Sequence, residues 1–387
     1  MVTRSIFITV IPLVFTTGCF WNSLGIDLTL GGTGLDGFVS LSSVEYPDPE
    51  WEEGEPEDHG LSSVELEAFA EVAGELDSSC LMVIHDGVLV GEWYWDGFDR
   101  HTDLSNIFSV TKSITSILVG IAEHQGLLSI DDPASDSIST WVGTASEGVT
   151  IQNLISNDSG RFWSFQSDYN DLDVATDKTA YGVGLSQQYA AGTMWEYNNS
   201  AIQTLQEVLS TAVGQDLDSY AQENLFEPIG ATMSLGHDGS GNPMTYQGVS
   251  ASCDDLARLG YLALRHGYWD GQWVVPPWWL QEATQPSTAL NDAYGYMWWL
   301  NRDGHVVEPS FPGRIEYDGQ LIPASTEEAF MAIGAFGQLV YVDPEEDYVV
   351  VRLFEVPDPV SAFSTDPDPV GAQDVETLMT AFEAAKI

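Results

Sequence analysis

The chain has 387 residues, and its 59 Asp and Glu residues against 11 Lys and Arg residues give a formal net charge of -48. Because contacts with phosphates need clustered basic side chains, this composition argues against a nucleic-acid partner. Hydrophobic residues make up 44% of the sequence and aromatic residues 11%, which supplies a packed core and excludes disorder along most of the length.

The N-terminus predicts export. Arg4 precedes an apolar run over residues 6–15, which has the length of a signal-peptide core and is too short to span a bilayer as a helix. The letters TTGC that follow, ending at Cys19, resemble the end of a bacterial lipoprotein signal, in which the cysteine receives the lipid. We predict a lipoprotein-type signal peptide over residues 1–19 with Cys19 as the lipidation site, and simple secretory cleavage is the alternative. The protein would then be periplasmic or at the cell surface, attached to the membrane only through Cys19.

Residues 20–58 predict a tether, and residues 59–387 the folded domain. The tether is acidic, contains several glycines, and runs into "EYPDPEWEEGEPEDHG", which cannot bury a core. In the domain, Cys80 and Cys253 either form a disulfide, as an oxidising compartment allows, or remain two buried thiols. The seven histidines are scattered and no Cys/His metal spacing occurs, so we predict neither a metal nor a cofactor.

Strand and helix patterns at the two ends of this domain predict an α+β fold. A capping box at Ser62 begins a helical pattern, and "CLMVI", a turn at residues 85–87 and "VLVGEWYW" then predict a β-hairpin. Near the C-terminus "EAFMAIG", "GQLVYVD" and "DYVVVRLFE" predict three strands, and "DVETLMTAFEAAK" predicts a closing helix. We therefore expect an antiparallel sheet built from both ends of the domain and flanked by helices, with a helical insertion over about residues 131–300.

Ser109 and Lys112 lie three residues apart at the start of a helical pattern, so their side chains share one face. A serine hydroxyl is a weak nucleophile until a base removes its proton, and a lysine desolvated among apolar residues can be that base. This spacing is common by chance, and a solvated lysine is the alternative. The chain has only three lysines, however, and this one lies among apolar residues, which favours a catalytic pair.

Two further motifs carry polar or small residues suited to the same chemistry. Tyr197-Asn198-Asn199 precedes a helical run, where the tyrosine can relay a proton and Asn199 can hold the lysine or a substrate carbonyl; a tyrosine packed in the core is the alternative. The segment "AIGAFGQLVYVDP" places small residues on a predicted strand, where a backbone N–H can stabilise an oxyanion.

In this order, S-x-x-K, Y-x-N and a glycine-containing C-terminal strand resemble the serine β-lactamase and penicillin-binding superfamily. The closer resemblance is to its class C-like branch of esterases, D-aminopeptidases and aminohexanoate-dimer hydrolases. Segments such as "TIQNLISNDSG", "FEPIGATMS" and "YGYMWW" extend this resemblance over about residues 65–355. It implies a β-lactamase/transpeptidase-like fold, with a five-stranded antiparallel sheet flanked by helices and an α-helical insertion.

The resemblance also implies a role for each motif residue. Ser109 would be the acylated nucleophile and Lys112 its base. Tyr197 would pass the proton to the leaving group and then activate the deacylating water, and Asn199 would orient Lys112. The backbone N–H groups of Ser109 and Ala335 would form the oxyanion hole.

The third motif departs from the family pattern. β-Lactamases and peptidases carry Lys or His at its first position, where it attracts the substrate carboxylate, and here that position is Ala332. Gly334, two residues on, would contact the substrate. "FQSDYND" resembles a substrate-contacting loop of the aminohexanoate-dimer hydrolases, which places Tyr169 at the pocket. Lys178, in the only Lys-Thr pair, precedes Tyr197 and is predicted to lie at the surface.

We therefore predict a serine hydrolase that acts through an acyl-enzyme on a small ester or amide. The alternatives are a D,D-peptidase or β-lactamase-type cell-wall enzyme, or a non-catalytic surface-bound homologue, which the complete set of motif residues disfavours. An α/β-hydrolase is disfavoured because no G-x-S-x-G pentapeptide occurs. The acidity predicts a halophilic-type surface, with an acidic secreted protein from ordinary surroundings as the alternative.

Overall fold

The computed structural model of the protein describes residues 45–310, 313–354 and 372–387. The strands are β1 (Glu52–Glu53), β2 (Cys80–His85), β3 (Val88–Tyr94), β4 (Ser105–Asn106), β5 (Ser250–Ala251), β6 (Tyr268–Trp269), β7 (Gln272–Trp273), β8 (Trp299–Leu300), β9 (Gly304–Ser310), β10 (Gly313–Gly319), β11 (Phe330–Gly334), β12 (Gln338–Asp343) and β13 (Tyr348–Leu353). The α-helices are α1 (Ser63–Glu75), α2 (Val110–His124), α3 (Ile151–Ile155), α4 (Leu172–Val174), α5 (Lys178–Gly184), α6 (Asn199–Gln203), α7 (Leu205–Val213), α8 (Leu217–Ala221), α9 (Cys253–Leu264), α10 (Pro277–Ala283) and α11 (Ala372–Ala384). Shorter 3-10 or π-helical turns are Pro56–His59, Ala134–Asp136, Ser139–Trp141, Gln166–Asp171, Gln222–Phe226, Glu227–Ile229 and Ala335–Gly337.

The main sheet contains seven strands in the order β1-β3-β2-β13-β12-β11-β8. The predicted hairpin and the three predicted C-terminal strands are confirmed, and these five strands pair antiparallel. The predicted count of five strands was too low, because β1 and β8 each add two residues at one edge, and β1 runs parallel to β3. Strands this short leave no periodic pattern in a sequence.

Helices cover both faces of this sheet, which is the predicted α+β arrangement. Along β13, Val349 and Val351 face a core shared with α2 and α9, whereas Tyr348 and Val350 face a core shared with α1 and α11. Because both faces are buried, the central strands are continuous apolar runs, and for that reason they could be predicted from the sequence.

Residues 45–58, which the composition assigns to the tether, lie on the folded domain. Trp51 is buried, and its indole N–H donates to Asp254 Oδ1 at 2.8 Å. The Tyr261 hydroxyl donates to the carbonyl oxygen of Glu45 at 2.8 Å. One buried tryptophan and a few hydrogen bonds thus attach an acidic segment that has no core of its own.

No helix in the described ranges is both long and apolar enough to cross a bilayer. The predicted signal peptide, Cys19 and the first part of the tether lie outside the described residues.

A disulfide joins the sheet to a helix that covers it. Cys80 in β2 and Cys253 in α9 are bonded, with Cα atoms 6.5 Å apart and both side chains fully buried. This bond decides the alternative that the sequence left open. It connects residues 173 positions apart, so it restricts a long stretch of the unfolded chain.

Replacing both cysteines, Cys80→Ala with Cys253→Ala, is expected to lower the free energy of unfolding by about 2–5 kcal/mol, because the unfolded chain is no longer crosslinked. Urea denaturation of the variant and the wild type measures the difference. With a reductant present, the free energy of unfolding of the wild type should approach that of the variant. Equal free energies for the variant, the wild type and the reduced wild type would contradict the expectation.

Candidate active site

Ser109 lies at the start of α2, directly after a residue with an unusual backbone conformation. Phe108 has φ 46°, in the left-handed region that costs energy for a residue with a side chain. Its N–H donates to Asn106 Oδ1 at 2.9 Å, and its ring contacts that of Phe336 with centroids 5.4 Å apart. These contacts fix the sharp turn that presents Ser109 to a cavity.

Lys112 lies beside Ser109, one helical turn further along α2. It is 1% exposed, and its Nζ lies 2.8 Å from Ser109 Oγ and 2.8 Å from the carbonyl oxygen of Tyr246. Burial lowers the pKa of Lys112 to about 7, although the negative charge of Asp168 raises that pKa in part. A neutral amine is therefore well populated near pH 7 and can accept the hydroxyl proton of Ser109.

Tyr197 also contacts Ser109. Its hydroxyl is hydrogen bonded to the Ser109 side chain, and its ring stacks on Trp299 with centroids 5.7 Å apart. Lys112 Nζ lies 4.7 Å from the centroid of the same ring. Burial raises the pKa of Tyr197, and the hydrogen bond with Ser109 lowers it only in part. The phenol thus stays protonated near neutral pH, which suits a proton donor.

Asn199 lines the cavity and shares no hydrogen bond with Lys112 among the described residues. In the part of the chain that the structure describes, Lys112 Nζ is hydrogen bonded to Ser109 and Tyr246, and no hydrogen bond joins it to Asn199. The Asn199 side chain is hydrogen bonded to the Tyr169 hydroxyl, while its buried Oδ1 has no partner among the described residues. The predicted role of Asn199 in orienting the lysine stays a prediction.

The end of β11 approaches Ser109 closely because residue 334 is a glycine. A Cβ on Gly334 would lie 2.4 Å from the carbonyl oxygen of Ile107, so a side chain there would displace the segment that leads into α2. Ser109, Gly334 and Ala335 line the same cavity. This places the two predicted oxyanion-hole residues, Ser109 and Ala335, at a shared wall; their roles, and the substrate contact predicted for Gly334, stay predictions.

The cavity that these residues share has a volume of about 960 Å³. Its wall includes the predicted Tyr169, whose ring stacks on Phe165 with centroids 5.4 Å apart. Trp299 also lines it, whereas Ala332 is 1% exposed and packs into the core beneath α2. Four acidic residues lie in the wall: Asp168, Asp173, Glu308 and Glu376. No Lys, Arg or His is found among the described residues that line the cavity.

Three other basic residues are bound by hydrogen bonds within the protein. Arg314 donates to Glu196 Oε1 at 2.8 Å, and Arg352, 1% exposed, donates to Ser78 Oγ at 2.7 Å. Lys178, predicted at the surface, is instead buried and donates to backbone carbonyl oxygens. None of these three basic side chains lines the described wall of the cavity.

Two residues of the site were missed from the sequence. Tyr246 supplies a backbone carbonyl to Lys112, which no residue pattern reveals because every residue has such an acceptor. Asp168 is 3% exposed beside Tyr169. The segment "FQSDYND" was noticed for Tyr169, but an aspartate in an acidic chain gives no sign that it is buried.

An antiparallel sheet between helical layers, with Ser109, Lys112 and Tyr197 together at the start of a buried helix, defines the β-lactamase/transpeptidase-like class. The Beta-lactamase family model matches residues 67–371, well over half of the chain, and the protein belongs to that family.

One named relative and two solved structures are similar to this chain. The chain is 23% identical over 347 residues to the 6-aminohexanoate-dimer hydrolase of Paenarthrobacter ureafaciens, covering 76% of this chain and 79% of that protein. A class C beta lactamase from Rhodobacter sphaeroides has a TM-score of 0.55 at 17% identity, covering 84% of this chain and 99% of the other. EstCE1, a hydrolase with promiscuous acyltransferase activity, has a TM-score of 0.59 at 14% identity, covering 81% of this chain and all (100%) of the other. These two structural similarities show the fold.

Proposed function

We propose that the protein is a serine hydrolase that cleaves a small ester or amide without a net negative charge through an acyl-enzyme at Ser109. The observation that carries this proposal is the buried Lys112 amine, 2.8 Å from Ser109 Oγ with its pKa lowered to about 7. A lysine in that state has little structural use, because an uncharged amine forms no ion pair, but it is a suitable base for a serine hydroxyl.

The proposed reaction uses the contacts of the site in two stages. Lys112 takes the hydroxyl proton of Ser109 while Oγ bonds to the substrate carbonyl carbon, and the oxyanion that forms faces the N–H groups of Ser109 and Ala335. The tetrahedral species then loses its alcohol or amine, which takes a proton from the Tyr197 hydroxyl, and Lys112 returns its proton to the tyrosine. In the second stage a water molecule bonds to the acyl carbon and gives its proton to Lys112 or Tyr197. The bond between the acyl carbon and Ser109 Oγ then breaks, the same group returns a proton to Oγ, and the acid leaves.

One relative supports an amide substrate, and the acidic cavity wall supports a substrate without a net negative charge. One relative is named for the hydrolysis of 6-aminohexanoate dimer, an amide whose amino group and carboxylate balance in charge, and EstCE1 is named as a hydrolase. The alternative of a D,D-peptidase or β-lactamase receives less support, because those enzymes hold the substrate carboxylate with a Lys or His at the position that is Ala332 here. Four acidic side chains and no basic one line the described cavity wall, so a carboxylate there would meet their repulsion without a charged hydrogen-bond donor in that wall.

We expect p-nitrophenyl butyrate to be hydrolysed with a kcat/KM about ten- to a hundredfold above that for nitrocefin. The reason is that nitrocefin finds no charged hydrogen-bond donor for its carboxylate, and losing one such bond costs about 1.5–3 kcal/mol. Steady-state kinetics on both substrates, with aminohexanoate dimer and a D-amino-acid amide beside them, measure this preference. The Ser109→Ala variant gives the background rate, and nitrocefin as the better substrate would contradict the proposed substrate class.

We also propose that the protein works outside the cytoplasm. The Cys80–Cys253 disulfide supports this, because such bonds persist in oxidising compartments. Lipid attachment at Cys19 remains a prediction from the sequence, and metabolic labelling with a radioactive fatty acid, comparing wild type with Cys19→Ser, tests it.

A further inference from the structure

A buried carboxylate lies behind the catalytic residues of the proposed hydrolase. Asp168, 3% exposed, accepts three hydrogen bonds from the segment that follows Tyr197: from the N–H of Asn199 at 2.9 Å, and from the N–H and hydroxyl of Ser200, each at 2.7 Å. These donors satisfy both carboxylate oxygens. The segment that carries Tyr197 and Asn199 is thus tied to the turn that carries Tyr169.

Lys112 is the cation that faces this carboxylate. The groups around Lys112 are the hydroxyl of Ser109, the phenols of Tyr197 and Tyr246, and Asp168, whose negative charge favours the ammonium form. The charge of Asp168 also acts on the ionisable groups around it, which are Tyr169, Tyr197, Tyr246 and Glu196.

We propose that Asp168 is a positioning residue of this active site, which fixes the Tyr197–Asn199 segment beside Ser109 and keeps a negative charge near Lys112. The inference rests on the proposed hydrolase function and adds a group that the motifs do not contain. Burial alone would make Lys112 a very weak base, and a nearby negative charge restores part of its basicity. The same carboxylate holds the phenol that shares a hydrogen bond with the nucleophile, so one residue supports both proton-transfer groups.

Burial raises the pKa of Asp168, while its hydrogen bonds from Ser200 and Asn199 and the charge of Lys112 lower it in part. Those three donors favour the carboxylate, since hydrogen bonds from N–H and O–H groups stabilise the charged form. Removing the charge should make the ammonium form of Lys112 less stable. Activity needs the neutral amine, and kcat falls at low pH where Lys112 becomes protonated. This fall, the acid limb of the pH profile, should then occur at lower pH.

The test compares wild type, Asp168→Asn, Asp168→Glu and a control, Asp255→Asn. Asp255 is a matched control, because it is also 3% exposed and accepts hydrogen bonds from two backbone N–H groups and a hydroxyl, those of Thr232 and Ser252. It is not among the residues that line the cavity. The kcat for p-nitrophenyl butyrate is measured against pH, with circular dichroism to check folding.

We expect Asp168→Asn to lower kcat about ten- to a hundredfold and to shift the acid limb to lower pH. Asp168→Glu keeps the charge and should lower kcat with the acid limb unchanged, and Asp255→Asn should change neither. A wild-type kcat in Asp168→Asn, or a lower kcat with an unmoved acid limb, would overturn the proposal. If Asp168→Asn does not fold, the glutamate variant decides: a reduced kcat supports the proposal and a wild-type kcat overturns it. A wild type without hydrolase activity would instead overturn the proposed function on which this inference rests.

Discussion

Ser109→Ala is expected to lower the turnover of p-nitrophenyl butyrate by about ten-thousandfold or more, because the variant has no oxygen to form the acyl-enzyme. Loss of a partly exposed hydroxyl at the start of α2 should leave the fold intact. A fluorophosphonate probe should label the wild type on the peptide that contains Ser109 and leave the variant unlabelled. Stopped assays and mass spectrometry of the labelled protein measure the two effects.

Ser116→Ala is the matched control for that experiment. Ser116 lies on the same helix, is fully buried, and its Oγ has no hydrogen-bond partner among the described residues. Removing this hydroxyl should change neither turnover nor labelling. A fluorophosphonate adduct on a serine other than Ser109 would contradict the assignment of the nucleophile.

Lys112→Met is expected to lower kcat by about a hundred- to ten-thousandfold, because methionine fills the space of the lysine but cannot accept a proton. In the wild type, kcat/KM should fall as the pH drops through about 7, since the lowered pKa means that Lys112 is neutral above that pH and protonated below it. A pH series on both proteins, with circular dichroism to confirm folding, measures these effects.

Lys386→Met controls for the loss of a lysine in general. Lys386 is bound to Glu383 at 2.7 Å at the C-terminal end of the chain and is not among the residues that line the cavity. Its replacement should leave kcat and the acid limb unchanged. Turnover close to the wild type in Lys112→Met would exclude Lys112 as the base.

The parts of the fold that could be predicted are those whose residues carry their own pattern. β2, β12 and β13 are buried on both faces and therefore appear as apolar runs bounded by turns. β1 and β8 could not be found, because a two-residue strand is defined by its neighbour rather than by its own residues. The packing of Trp51 against the domain could not be predicted for a related reason, since the acidic residues around it in the sequence suggest a segment exposed to solvent.

The parts of the site that could be predicted are likewise local. Ser109 and Lys112 share a helical face, so their spacing alone brings them together, and the tyrosine followed from the order of the motifs. Asp168 and the Tyr246 carbonyl reach Lys112 from segments 56 or more residues away in sequence, and only the folded chain brings them there. The burial of Lys178 was missed in the same way, because its partners are backbone carbonyls.

Both edges of the main sheet end in strands of only two residues, and one of them, β1, presents Glu52 and Glu53 shortly before Pro56. A long free edge invites a strand from a neighbouring molecule, whereas two residues offer too few hydrogen bonds to hold one. At low ionic strength the net charge of -48 is enough to keep copies of the chain apart. In 1 M salt the Debye length shrinks to about 3 Å and this repulsion is screened. Since β1 pairs only with Val88 and Leu89 of the seven-residue β3, the rest of β3 is then the part of this edge, among the described residues, at which a strand from another copy would pair.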